Sequence, residues 1–405
     1  MPRRAILAAL LAFVLGASTT TSARAKVASP LDAVRALTAA RAKAEIAHDR
    51  DAYLATIDPQ APAAFRDAQL KSFDGLSSLP VKTLTYDVRT DLIGDLTRAV
   101  DAKKYGGAPV FLPQTVRALQ FDLDADFPGL DDMWWTYVQR DGRWFVGGND
   151  DVSDLGLVAS QQMWDIGPVV TARGPHVLLI AHPGNQDRAQ SLVDTTESAL
   201  ATLAPRWTLP WAGHLVGFVP NSPDELTTII QATVDVTKFV AFVSYAFEPE
   251  TLKATAPRLY VQDTNLSTYG SAQQTETLVH EFTHAAGAGY TSPFTPAWVQ
   301  EGMADWIAGN EAPPTAPTPQ LGAAPPRNDE FGAGSQTQIV RAYRDSRSLI
   351  AELASLKGSG APFDFFKSLG AEPIRPGNSD YVVDESLKGF GLTATGLVAA
   401  LHGGG

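Results

Sequence analysis

Residues 277–286 read Thr-Leu-Val-His-Glu-Phe-Thr-His-Ala-Ala, and residues 298–305 read Trp-Val-Gln-Glu-Gly-Met-Ala-Asp. The first stretch contains H-E-x-x-H. Four residues nearly complete a helical turn, so in a helix His280 and His284 share one face. Their rings then converge on one point, where nitrogen donors bind zinc at about 2.0–2.1 Å. Glu281 is turned toward the open side of the ion, the position a general base needs. Leu278, Val279, Phe282, Ala285 and Ala286 make the helix apolar around most of its circumference, which predicts burial. Buried polar groups are paired or bind a metal. The chain holds only seven histidines, so this pentapeptide arises by chance in well under ~1% of such sequences. An exposed helix face with a Glu–His contact is the competing reading, and the apolar flanks argue against it.

Two histidines do not complete a catalytic zinc site, which takes three protein ligands and a water. Two completions are open. In HEFTHAAGAGY, Gly287 stands where metzincins place a glycine, but Tyr290 takes the place of their third histidine and is a poor resting zinc ligand. In the next apolar helix, Pro296 to Trp306, Glu301 is a glutamate among apolar neighbours. The Gly-, Ser-, Thr- and Pro-containing loop between the helices permits an antiparallel return that brings Glu301 to the ion.

The pair HEFTH and WVQEGMAD resembles the gluzincin superfamily of thermolysin-like and peptidase-MA-like enzymes. Their pattern is H-E-x-x-H followed by W-x-x-E-G-x-A-[DE]. The resemblance covers roughly residues 175 to 370. It implies zinc as cofactor, a peptide or protein as substrate, His280, His284 and Glu301 as ligands, and Glu281 as base and proton shuttle. It also implies that Asp305, one turn after Glu301, orients a ligand histidine. Gluzincins need a tyrosine or histidine to stabilise the oxyanion; Tyr343, in AYRDSRSLIAEL, is the first choice and Tyr290 the second. In these enzymes the strand before the zinc helix is a sheet edge that pairs with extended substrate, a place taken here by Arg258 to Asp263. One departure is the interval between His284 and Glu301, a little shorter than in thermolysin-like enzymes. The chain lacks a G-x-M-E-N-like element, which leans toward an endopeptidase.

Around these helices, the second half alternates strands and helices. Strands are expected at His176 to Ala181, His214 to Val219, Phe239 to Phe247 and Arg258 to Asp263. Helices are expected at Asp187 to Leu203, at Pro223 to Ile230 with Ser222 as cap, and at Thr337 to Leu356. The proline-rich stretch 311–326 reads as a surface loop, and Gly403 to Gly405 should fray. His176, His182 and His214 lie in or beside strands and read as structural or exposed. In the first half, residues 31 to 58 have helical spacing, and Thr83 to Thr90 and Val116 to Leu123 alternate as strands. Trp134 to Val138 and Trp144 to Val146 flank the turn signal Arg140-Asp141-Gly142-Arg143, so they read as a hairpin. The helices and the hairpin WWTYVQRDGRWFVGG resemble the cone-shaped fold of SnoaL-like and ketosteroid-isomerase-like proteins. The whole therefore reads as α+β. Residues 26–150 form the cone-type domain, 151–169 a linker, and 170–405 a zincin-type metallopeptidase domain.

Arg3 and Arg4, the apolar run Ala5 to Gly16 and the small residues of Ala23-Arg24-Ala25 read as an export signal over 1–25. The run is too short for a bilayer, which takes about 20 residues. The expected product is secreted, with no stable membrane span. A net charge of -12 excludes the basic face that nucleic acid requires. The absence of cysteine excludes disulfides, thiolate metal sites and a cysteine nucleophile. Two other readings compete. One is a binding or scaffold protein of the cell envelope with a structural or vestigial zinc site, against which Glu281 speaks. The other is a zymogen whose first domain covers the cleft.

Overall fold

The computed structural model describes residues 29–90, 93–124, 127–233, 235–245, 256–309, 324–331, 335–371 and 379–403, with Phe247, Leu252 and Ala254. The export signal, most of the proline-rich stretch, and Gly404 and Gly405 lie outside the described residues.

Ser29 opens the first helix, α1 (Pro30–Ile46), by accepting the Asp32 N–H on its hydroxyl at 3.1 Å, with Pro30 in the first turn. The helical region expected over 31–58 is two helices. His48 takes a φ of 52°, and Asp49 caps a second helix, α2 (Arg50–Leu54). Next come α3 (Ala63–Leu76), β1 (Val81–Arg89), α4 (Ile93–Ala99), β2 (Val110–Phe111), β3 (Gln114–Phe121), β4 (Gly129–Asp132), β5 (Thr136–Arg140) and β6 (Arg143–Gly148). They make two antiparallel three-stranded sheets, ordered β1-β3-β4 and β2-β5-β6. The β5–β6 hairpin turns through Asp141 and Gly142, both at positive φ, as a two-residue turn of this twist requires.

After α5 (Met163–Ile166) come β7 (Val170–Arg173), β8 (Val177–Ala181), α6 (Gln186–Leu203), β9 (Leu215–Val219), α7 (Pro223–Ile229), β10 (Ala241–Ser244) and β11 (Arg258–Val261). The chain then becomes helical: α8 (Asp263–Leu266), α9 (Ser271–Gly287), α10 (Ala297–Ala308), α11 (Gln336–Lys357), α12 (Ala361–Ala371), α13 (Ser379–Lys388) and α14 (Ala394–Leu401). The chain is thus α+β. The five-stranded sheet runs β10-β11-β9-β8-β7, with β8, β9 and β11 parallel and an antiparallel strand at each edge. This corrects one expectation. β11, expected at the edge, lies inside the sheet, with Arg258 opposite Val216 on one side and Ser244 on the other. All four of its residues are buried, as in a strand with neighbours on both sides. The edge is β10.

One face of this sheet carries α6 and α9, and the other packs against the first half of the chain. Leu84, Leu119 and Phe121 share a core with Leu178, Ile180 and Phe218. Trp164 of α5, 1% exposed, lies between them, its ring 5.9 Å from Phe121 and 6.3 Å from Phe218. A Cβ on Gly75 would meet the Trp164 carbonyl oxygen at 2.5 Å, so α3 runs directly over α5. The segment read as a linker therefore contributes to a core common to both halves. No helix among the described residues is long and apolar enough to cross a membrane.

Candidate metal centre

α9 buries Leu278, Val279, Phe282, Ala285 and Ala286 against α6 and the sheet, which leaves the histidine face turned toward α10. The chain leaves α9 through a short 3-10 turn, Ala288–Tyr290, and a tight turn in which the Ser292 N–H donates to Thr295 Oγ1 at 3.0 Å. It then starts α10 after Pro296. This compact connection accommodates the short interval between His284 and Glu301.

The result is a convergence of three donor atoms. His280 Nε2 and His284 Nε2 are 3.1 Å apart, and Glu301 Oε2 lies 3.2 Å from the first and 3.4 Å from the second. Asp305 fixes the His280 tautomer. A carboxylate only accepts, so at 2.8 Å it is Nδ1 that donates to Asp305 Oδ1, which leaves a lone pair on Nε2. Lone pairs and a carboxylate at such separations repel unless a proton or a metal ion lies between them. A tetrahedral ion with bonds of about 2.0–2.1 Å holds its donors roughly 3.3–3.4 Å apart; the separations here lie at or slightly below that, so the three side chains could hold a small metal ion. The side chains of His280, His284 and Glu301 are 16%, 13% and 20% exposed, so the cluster is reachable from outside.

The neighbouring carboxylates and rings set the electrostatics of this cluster. Burial disfavours charge on His280, yet the Asp305, Glu301 and Glu281 carboxylates around it raise its pKa well above the ordinary value. Burial also opposes ionisation of Glu301, but the His284 and His280 rings hold its carboxyl far below the usual range. The cluster stabilises positive charge at its centre. Glu281 is buried, which raises its pKa, while His280, His284 and a hydrogen bond from the Val243 N–H of β10 pull the other way. It stands between the donor cluster and the edge strand.

Tyr343 of α11 is brought to the same place. Its ring centroid is 6.3 Å from that of His280. Burial raises its hydroxyl pKa, and Glu301, Glu281 and Asp305 raise it further. Tyr290 is not brought in: its hydroxyl donates to the Pro210 carbonyl at 2.8 Å. Gly287 has a helical φ of -78° and packs against Phe366, so it makes no turn toward a further ligand. His176 is held by Glu197, His214 by the Leu123 carbonyl, and His182 by Glu225 and the Pro168 carbonyl. One residue that sequence reasoning missed is Tyr245, just past β10. Its hydroxyl donates to Gln300 Oε1 at 2.9 Å, and burial, aided by Glu301, pushes its pKa up to about 12. Only recognition of β10 as the sheet edge would have singled it out.

No protein-family model matches the chain, and no curated protein matches it. The site therefore stands on its own geometry.

Gly302, next to Glu301, has a packing role. A Cβ there would lie 2.7 Å from the Ser346 carbonyl oxygen and 2.9 Å from Ile350 Cγ1 of α11. Gly302→Ala must push α10 away from α11, at a cost of about 1–3 kcal/mol, and Glu301 moves with it. We expect a lower melting temperature and weaker zinc binding in titration. An unchanged melt would contradict the close approach.

Proposed function

We propose that this chain is an exported zinc metallopeptidase of gluzincin type that hydrolyses peptide bonds. In this reading, 1–25 is the export signal, residues 26–150 are a SnoaL-like cone-type domain, and residues 170–405 are the metallopeptidase domain. The observation that carries the proposal is the meeting of His280 Nε2, His284 Nε2 and Glu301 Oε2 within 3.1–3.4 Å, with Glu281 beside them. Zinc held by these three would act as a Lewis acid and make water a nucleophile near neutral pH.

The protein's own residues do the rest. Glu281, kept from bulk solvent and oriented by the Val243 N–H, takes the proton of the attacking water and passes it to the leaving amine. Asp305 keeps the His280 proton on Nδ1, so that Nε2 remains a donor of electrons. Tyr343, held neutral by burial and by nearby carboxylates, donates its hydroxyl proton in a hydrogen bond to the oxyanion that forms at the scissile carbonyl. The outer edge of β10, with no further strand beside it among the described residues, would offer the backbone groups that Glu281 does not engage to an extended peptide. A structural or vestigial zinc site has no use for a buried base or for accessible ligands.

The test is cleavage of an unfolded generic protein by the full chain, abolished by a zinc chelator and restored by zinc. A zinc-loaded chain that cleaves nothing contradicts the proposal. Tyr343→Phe should lower kcat by about 10²–10³ with zinc content unchanged; equal kcat would remove Tyr343 from the mechanism.

A further inference from the structure

The two histidines differ on the side turned away from the donor cluster. His280 Nδ1 donates to Asp305 Oδ1 at 2.8 Å. His284 turns Nε2 toward His280 and Glu301, so the neutral ring carries its proton on Nδ1. Among the described residues that Nδ1 has no hydrogen-bond partner. A metal-bound imidazole donates its other N–H to a carboxylate, a carbonyl or a water, which fixes its tautomer and its orientation.

A small cavity of about 10 Å³ lies against the His284 ring. That is room for the centre of one water molecule. Its polar walls are His284, Thr283, Thr291, Gln300 and Trp207. Trp207 supplies an independent observation. The residue is 6% exposed, and its indole Nε1 is buried without a hydrogen-bond partner. An indole nitrogen only donates, and a buried donor left unpaired is costly.

The remaining polar walls accept. The Thr291 hydroxyl gives its proton to the Gly287 carbonyl at 3.0 Å, and the Thr283 hydroxyl gives its own to the Val279 carbonyl at 2.9 Å. Each oxygen keeps lone-pair capacity. Gln300 Nε2 donates to the Thr295 carbonyl at 2.9 Å, while its Oε1 accepts from Tyr245 and has a second lone pair. Two N–H donors without partners therefore border the same water-sized space as three oxygens able to accept. One water satisfies both sets, since it accepts two hydrogen bonds and donates two, and buried waters typically make about three.

We propose that this cavity holds one ordered water that accepts from His284 Nδ1 and Trp207 Nε1 and donates to Thr291 Oγ1 and a second wall oxygen. Trp207 and Thr291 are then positioning residues for His284, acting through the water as Asp305 acts directly on His280. The positioning role rests on the zinc reading; the water itself is measured without metal. In the full-length zinc-free protein, the Trp207 indole proton, assigned by its loss in Trp207→Phe, should show a nuclear Overhauser effect to a long-lived water. A crystal structure of the zinc-loaded chain should show that water within hydrogen-bond distance of His284 Nδ1. Trp207→Phe combined with Thr291→Val strips the water of one donor and one acceptor. Zinc binding should then weaken about tenfold, the low end for losing a ligand's hydrogen-bond partner. Thr291→Ser keeps the hydroxyl and should keep wild-type affinity. If the double variant fails to fold, each single variant is read in its place. A dry cavity, or His284 Nδ1 bonded to a protein atom, overturns the proposal. Wild-type zinc affinity in the Trp207 and Thr291→Val variants, or a wild-type chain that holds the water and binds no zinc, overturns the positioning role. A water in place and the expected affinities, with no peptide cleaved, keep this inference and remove the hydrolase reading.

Discussion

Glu281→Gln should keep its zinc and lose peptide hydrolysis by a factor of about 10²–10⁴. The reason is geometric. Glu281 is not one of the three atoms that converge, so an amide in its place leaves the donor set intact. The glutamine oxygen still accepts the Val243 N–H, and the side chain keeps its volume in a buried position. What it loses is the ability to take a proton from water and return it to the amine. Steady-state cleavage rates together with metal analysis of the same preparation check this. A variant that cleaves like wild type denies Glu281 its role, and one that sheds its zinc makes it a ligand.

Glu301→Ala should act on the metal itself. It removes one of three donors and the only negative one, leaving two imidazoles on neighbouring turns of α9. Loss of a mere hydrogen-bond partner of a ligand typically weakens metal binding about 10–100-fold, and loss of a ligand should exceed that. Competition with a chromophoric chelator gives the affinity. Because zinc bound only to the folded state raises its stability, the wild-type melting temperature should rise with added zinc and the variant's should not. Unchanged affinity and an unchanged zinc response would remove Glu301 from the donor set.

The convergence of His280, His284 and Glu301 was legible because it is local. H-E-x-x-H needs only helical periodicity to place two imidazoles on one face, and the apolar flanks of α9 mark which face is buried. Glu301 and Asp305 were legible as a second helical pattern, four residues apart on α10. Strand existence was legible from alternation, but strand neighbours were not. Arg258–Val261 reads equally as an edge or an interior strand, and only the pairing with β9 and β10 decides. The role of Tyr245 was hidden for the same reason, since it depends on β10 being the edge. The break at Ala47–Asp49 was hidden because His48 carries no turn signal. Residues 151–169 lack periodicity and looked like a link, yet Met163 and Trp164 are buried in the core between the halves. Periodicity detects a repeated face; two large side chains on a single helical turn do not make one.

Zinc-edge X-ray absorption on the full chain, with elemental analysis, tests the central claim most directly. The account expects one zinc per chain, with about four nitrogen and oxygen donors at about 2.0–2.1 Å and the scattering signature of two imidazoles. That signature should vanish in a His280→Ala, His284→Ala double variant. A chain that binds no zinc, or a zinc spectrum that survives loss of both histidines, would contradict it.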